Sequence, residues 1–415
     1  MPSAAAPPAT RSAPPTRRAA NFGLVVLTGI NLFNYIDRYV VSGIEESIKA
    51  DLHLSDTQSG ALMTAVIVLL MLASPWFGTR GDRGSRTRLI AAGVALWSVA
   101  TASAGLAVSF VTLILARATV GVGEAAYGTI APSLLADYYP KNLRGRVFSV
   151  FFAAIPIGAA LGFLIGGLVD KHYGWRAAFF VAGLPGLVLA GLLLLLPDPP
   201  RGRADEAVPE ASPRAAGFAA FFDLARNRGY VLVVLGYAAY TFAVGGLGFW
   251  MVPFLVRMRG VPKAAAAVQI GAVLVGAGFL GTAVGGWLGD LLLKRSERAY
   301  EWVAAATTLA ALPCALVAIV VHDPRVYLPA VFLAEVFLFA STGPVNTAIV
   351  NMVPPTLRAT AMAGSVFTIH ILGDAISPTV IGLVSDATNL GLAVLVVPLA
   401  IGVSATLWTS AALRR

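Results

Sequence analysis

Apolar residues run through this chain in twelve long blocks separated by short polar punctuation. A helix needs about 20 apolar residues to cross about 30 Å of hydrocarbon, and every block meets that length. The first six helices are expected at Phe22–Ile44, Ser55–Gly78, Arg88–Ala107, Phe110–Tyr138, Arg146–Val169 and Trp175–Leu196. The second six are expected at Tyr230–Val256, Ala264–Leu293, Tyr300–Val321, Val326–Val353, Ala359–Ser385 and Leu390–Ala412. Ser55-Asp56-Thr57-Gln58 has the form of a capping box and marks the start of the second helix.

The blocks fall into two halves. Residues 1–20 are Pro/Ala-rich, lack the apolar core of a signal peptide and read as a disordered cytoplasmic tail. Residues 21–197 form a first six-helix bundle and residues 229–415 a second. Between them, residues 198–228 form a cytoplasmic linker. Its latter part, Gly217 to Arg226, is apolar on one side and reads as an interfacial helix. Loop motifs repeat between the halves. Gly78-Thr79-Arg80-Gly81-Asp82 is echoed by Gly286-Trp287-Leu288-Gly289-Asp290, and Pro140-Lys141-Asn142-Leu143-Arg144 by Pro354-Pro355-Thr356-Leu357-Arg358. The fold class is therefore an all-α membrane protein of two pseudo-symmetric six-helix bundles, an architecture that places a transport site at the repeat interface.

Composition agrees. The chain of 415 residues is 57% hydrophobic and 12% charged, half the charged share of a soluble domain, with a mean hydropathy of +0.78. The net charge of +9 sits in short loops rather than on one face, so it argues against nucleic acid and for orientation. The side carrying both termini holds 21 Lys and Arg and the other side 7, which places both termini in the cytoplasm of a cell inner (plasma) membrane. The lone Cys314 excludes a disulfide framework.

Candidate chemistry lies in the charges inside helices, which are costly there and are usually paired or functional. Asp37 and Arg38 fall towards the far end of the first helix. Arg117 falls near the start of the fourth, and Glu124 follows after nearly two turns, about 10 Å along the axis on the same face. Gly121 and Gly123 leave room there for a partner helix or a ligand. Arg117 is expected to pair with Asp37 or Glu124 according to conformation. A carboxylate keeps its charge beside Arg⁺ and favours the proton once that partner leaves a water-poor site. Asp37, Arg38, Arg117 and Glu124 are thus the candidate proton-coupling residues. In the second half, Glu335 is mid-helix, and His370 and Asp374 share a face and can hydrogen-bond. That pair is too small for a metal site, and neither metal nor cofactor is expected. Tyr237, Tyr240, Phe249 and Trp250 on the seventh helix could line a cavity or pack a core. The loop from Gly78 to Arg88 reads as a cytoplasmic latch built on Gly78, Asp82, Arg83 and Arg86, with Asp290 as its counterpart.

That loop resembles the hallmark motif of the major facilitator superfamily, with Ser85 where the family usually has Gly. Arg117 with Gly121 and Gly123 resembles the fourth-helix motif of its proton-coupled members. Gly158, Gly162 and Gly166 recur in the fifth helix without the Gly-Pro pair of drug antiporters. Within the superfamily the chain is similar to the Spinster lipid transporters. Five segments carry this: Asn34 to Arg38, Arg117 to Ala125, Gly174-Trp175-Arg176, Gly246 to Trp250 and His370 to Pro378. Its short loops and tails fit a bacterial member. The resemblance implies alternating-access transport of sphingosine phosphate or a lysophospholipid, with protons coupled in some members. Candidate substrate contacts are then Asn34, Tyr35, Asp37, Arg38, Arg117, Glu124, Tyr240, Trp250, His370 and Asp374. A carboxylate would meet the ammonium and an arginine the phosphate. The alternative cargo is a small organic anion, sugar or drug. An intramembrane enzyme finds no nucleophile–base pair, metal cluster or phosphate loop in the sequence. A channel needs neither two bundles nor duplicated latches. A single copy suffices for this architecture, so a monomer is expected.

Overall fold

The structure, a computed structural model of the full chain, describes residues 16–139, 141–200, 224–353 and 358–414. Among them twelve spans are long and apolar enough to cross a membrane. The first six are α1 Arg17–Leu52, α2 Asp56–Arg83, α3 Arg86–Ala104, α4 Phe110–Tyr138, α5 Lys141–Tyr173 and α6 Trp175–Leu194. The second half holds α7 Arg228–Arg259, α8 Lys263–Leu293, α9 Ala299–Val320 and α10 Pro324–Asn351. The eleventh span is α11 Arg358–Ile369, a π turn at His370–Asp374 and α12 Ser377–Ala387. The twelfth is α13 Leu390–Ala393 followed by α14 Val396–Leu413. With an even number of spans both termini lie at one end, called proximal below, and the opposite end distal.

Local chemistry sets these boundaries. The Ser55 hydroxyl accepts from the Gln58 amide and the Gln58 side chain returns to the Ser55 amide, completing the capping box. α1 is longer than its apolar block at both ends. Arg17 to Ala20, expected in the tail, form its first turn, and it runs past Ile44 to close at His53 in the left-handed region. Asp37 and Arg38 therefore sit near the middle of α1, not towards its far end. The eleventh span was expected to be continuous. Pro378 has no N–H and crowds the carbonyl one turn before it. The ladder opens into a π turn, with the Ala375 amide on the His370 carbonyl at 3.1 Å.

Glycines on α5 let it lie directly on α1. A Cβ at Gly158 would meet the Leu32 carbonyl at 2.6 Å, and one at Gly162 the Ile36 carbonyl at 2.7 Å. That face of α1 is thereby committed to α5, and Asp37 and Arg38 turn towards α4.

Hydrogen bonds between the bundles gather in the distal half. The Thr64 hydroxyl donates to the Ala375 carbonyl at 2.5 Å and lies 2.8 Å from Thr379. The Asp386 carboxylate accepts the Asp56 and Thr57 amides at 2.8 Å each, capping the positive start of α2 from the other bundle. Beside this, Gly167 on α5 rests against Ala264 and Ala267 on α8. The expected interfacial helix lies almost wholly outside the described residues.

Candidate functional site: paired charges at the bundle interface

Asp37 and Arg38 are neighbours on α1, so their side chains diverge by about 100°. Asp37 accepts from Arg117 at 3.0 Å, and both are essentially sealed, at 1% and 0% exposed. Arg38 donates to Glu124 at 2.6 Å, with Arg38 15% exposed and Glu124 1%. Side chains on a helix lean towards its N-terminus. α1 and α4 run in opposite directions, so Arg38 leans proximally to Glu124 while Arg117 leans distally to Asp37. In this conformation Arg117 takes Asp37 and leaves Glu124 to Arg38, giving two parallel ion pairs. The glycines between Arg117 and Glu124 admit helices. Gly121 abuts Val66 on α2, and a Cβ at Gly123 would lie 2.6 Å from the Gly93 carbonyl on α3.

The less sealed pair borders a cavity of about 230 Å³ lined by Asn34, Tyr35, Arg38, Glu124, Tyr127 and His370, among others. The Arg38 guanidinium stands 5.3 Å from the Tyr35 ring centre. Asn34 Nδ2 and Glu124 Oε1 are buried without a hydrogen-bond partner among the described residues. His370 comes from the second bundle, carried to this wall by the π turn, with Nδ1 2.9 Å from Asp374 Oδ1. His370 is thus the second bundle's contribution to a chamber otherwise walled by the first, with a charged patch at Arg38 and Glu124 beside apolar side chains such as Ile67, Leu70 and Phe151.

The remaining expected residues fall elsewhere. Tyr240 meets Thr342 at 3.0 Å and Trp250 donates to the Pro378 carbonyl at 2.9 Å, both within the second bundle. Buried Glu335 borders a separate small cavity with Phe163 and Leu247. Arg86 is buried within the first bundle. It holds Asp137 at 2.5 Å, Asp198 at 2.9 Å and the Pro199 carbonyl at 2.5 Å, tying α3 and α4 to the start of the linker. Arg83 is exposed. The side chains of Asp82 and Asp290 lie outside the described residues, and Gly78 packs near Thr129.

Sequence reading missed a distal clamp. Arg257, at the end of α7, donates to Asp56 at 2.6 Å, to Glu45 at 3.1 Å and to Glu46. Asp56 also meets Lys49 and Ser385. Lys263 donates to Ser47 at 2.9 Å. The available signal was Glu45-Glu46 directly after an apolar block. It reads as a loop only if the helix ends at Ile44.

A model of the Major Facilitator Superfamily matches residues 27–378. The chain is 35% identical over 384 residues to the sphingosine-1-phosphate transporter SPNS2 of Danio rerio, covering 87% of this chain and 75% of that protein. This chain belongs to the Spinster family of the major facilitator superfamily. It is also 36% identical over 385 residues to protein spinster homolog 1 of Mus musculus, covering 88% of the chain and 72% of that relative. A bacterial homologue of the human lysosomal transporter Spinster, solved inward-facing and unoccupied, superposes with a TM-score of 0.87 at 24% identity. That match covers 96% of this chain and 98% of the other, and it establishes the shared fold. The Spinster member is thus a multi-pass membrane transporter, and its relatives are transporters rather than enzymes. Among the described residues no group of three His, Cys, Asp or Glu could hold a metal ion.

Proposed function

We propose that this Spinster member carries a phosphate-bearing lysolipid, such as sphingosine phosphate or a lysophospholipid, in symport with protons by alternating access. The observation that carries the reading is the unequal burial of the two ion pairs. Asp37–Arg117 is sealed, whereas Arg38–Glu124 opens onto a chamber shared by both bundles. A lipid phosphate offers Arg38 a charge-assisted, bidentate partner. Glu124, buried and deprived of its arginine, then takes up a proton. Cargo binding and protonation become one event without movement of the sealed pair. SPNS2 is named for sphingosine 1-phosphate, which supports the cargo class.

The distal clamp supports a state closed at the distal side, from which the chamber is reached proximally. The excess of Lys and Arg in the proximal loops supports cytoplasmic termini in the plasma membrane, and one chain contains the whole chamber, which supports a monomer.

Purified protein in proteoliposomes should take up a radiolabelled lysophospholipid saturably. A hundredfold excess of sugars or short organic anions should leave that uptake unchanged, while sphingosine phosphate should suppress it. Uptake inhibited by the small solutes but not by the lipid would assign the chamber to the alternative cargo.

A further inference from the structure

The junction of α2 and α3 carries four arginines with two different fates, Arg80 and Arg83 in the last turn of α2 and Arg86 and Arg88 in the first turn of α3. Arg86 turns inward to Asp137 and Asp198. Arg80, Arg83 and Arg88 turn outward and, among the described residues, form no ion pair. They line one surface cavity of about 600 Å³ with Gly84, Ser85 and Leu89. Among the described residues no carboxylate neutralises these three guanidinium groups, which repel each other in one cavity and attract an anion.

The setting says which anion. The apolar part of the second span ends at Gly78 and the third begins at Arg86, so the cavity lies at the level where hydrocarbon gives way to headgroups. Leu72, Trp76 and Arg80 follow at intervals of four and share one face of α2. Leu72 is 71% exposed and Trp76 is 53% exposed. The Arg80 guanidinium lies 5.2 Å from the Trp76 ring centre. An apolar stripe facing hydrocarbon therefore runs directly into a basic pocket, with an aromatic ring at the junction, where such rings favour the interface. A free anion has no use for that stripe, whereas a lipid with a negatively charged headgroup uses both parts.

We propose that Arg80, Arg83 and Arg88 form a binding site for the headgroup of an anionic phospholipid of the surrounding bilayer, with an acyl chain along Trp76 and Leu72. The phosphodiester takes the guanidinium donors, and the bound lipid staples the loop to the membrane face. This site is separate from the central chamber and stands whatever the transported cargo is.

The test measures binding of dioctanoyl phosphatidylglycerol, dioctanoyl phosphatidylcholine and inorganic phosphate to the full-length protein in neutral detergent, by native mass spectrometry and calorimetry. Phosphatidylglycerol should bind saturably, at least about tenfold more tightly than phosphatidylcholine, and more weakly as salt rises. The triple variant R80Q/R83Q/R88Q should lose that preference, and R80K/R83K/R88K should keep most of it. Trp76→Ala should weaken the lipid without changing the weak binding of phosphate. Lys294→Gln with Arg295→Gln, a comparable charge loss elsewhere on the proximal face, should change nothing. If the glutamine triple fails to fold, the lysine triple and Trp76→Ala still decide the matter. Equal affinity for the two lipids overturns the proposal. So does phosphate competing as well as the lipid, or loss of binding in Arg38→Gln, which would place the lipid in the central chamber.

Discussion

Replacing Arg257 by alanine should open the distal end of the transporter. A cysteine placed at Thr64, in a Cys314→Ser background, should then react with a membrane-impermeant maleimide about 10 to 100 times faster than in the parent. The argument rests on what Arg257 holds. It is the cross-bundle partner of Glu45, Glu46 and Asp56, which arrive on two different helices of the first bundle. Glu45 and Asp56 are nearly buried, at 1% and 4% exposed, so truncating their shared cation leaves Glu45 and Glu46 crowded together without their arginine, while Asp56 keeps Lys49. Loss of one partner of such a pair costs about 2–5 kcal/mol. Arg257 is 20% exposed, which screens part of that, so a shift of about 1.4–2.7 kcal/mol is expected, a factor of 10 to 100 in the equilibrium. Thr64 reports directly because its hydroxyl contacts Ala375 and Thr379 across the same seam. Arg257→Lys should recover much of the closure. Glu45→Gln should loosen it less than Arg257→Ala, since Asp56 and Glu46 remain. Unchanged labelling in Arg257→Ala would mean that the helix contacts alone hold the bundles shut.

The second large effect separates two carboxylates of the same chemical type. Asp37→Asn should cripple folding, whereas Glu124→Gln should leave a folded protein that no longer couples to protons. Asp37 faces an Arg117 that has no access to water. Removing one side of a buried pair costs about 3–5 kcal/mol because a bare charge is left behind. Removing both sides restores much of the stability, so Asp37→Asn combined with Arg117→Met should melt well above Asp37→Asn alone. Glu124 pairs with an Arg38 that borders the chamber, where water can solvate the freed guanidinium. Glu124→Gln should therefore melt within a few degrees of the parent and carry lysolipid down its own gradient at a rate independent of pH. Thermal unfolding of the parent and the three variants, read beside their uptake at two pH values, checks both halves. Comparable stability in Asp37→Asn and Glu124→Gln would remove the distinction between a sealed pair and a working one.

Much of this was legible in the sequence because membrane spans announce themselves by length. All twelve blocks correspond to spans, and the capping box at Ser55 set the start of α2. Depth was partly legible too, since helix rise alone brought Arg117 level with Asp37. Three features were not. The distal clamp was hidden because Glu45 and Glu46 look like solvent-facing residues until Arg257, more than two hundred positions away, neutralises them. The π turn at His370 arises from Pro378 acting against the packing of Gly373 on Thr241 and Ala238, which depends on how α7 lies. The partner of Arg38 was open because a side chain on a helix of uncertain end cannot be aimed; with α1 running to Leu52, Arg38 falls to mid-helix and reaches Glu124. The cost of charge inside a helix singled out Asp37, Arg38, Arg117 and Glu124, while their division into a sealed pair and an open pair came only from the packing of α1 on α5 and α4.

The central claim is that lysolipid and proton move through one chamber by way of Glu124. Its most direct test is simultaneous recording of lysolipid flux and internal pH in proteoliposomes holding the parent protein or Glu124→Gln. The parent should move protons in fixed proportion to lipid, and a pH gradient alone should drive lipid accumulation; Glu124→Gln should equilibrate lipid with no accompanying proton movement. Lipid flux by the parent without any pH change, or undiminished proton-driven accumulation by Glu124→Gln, would contradict the account.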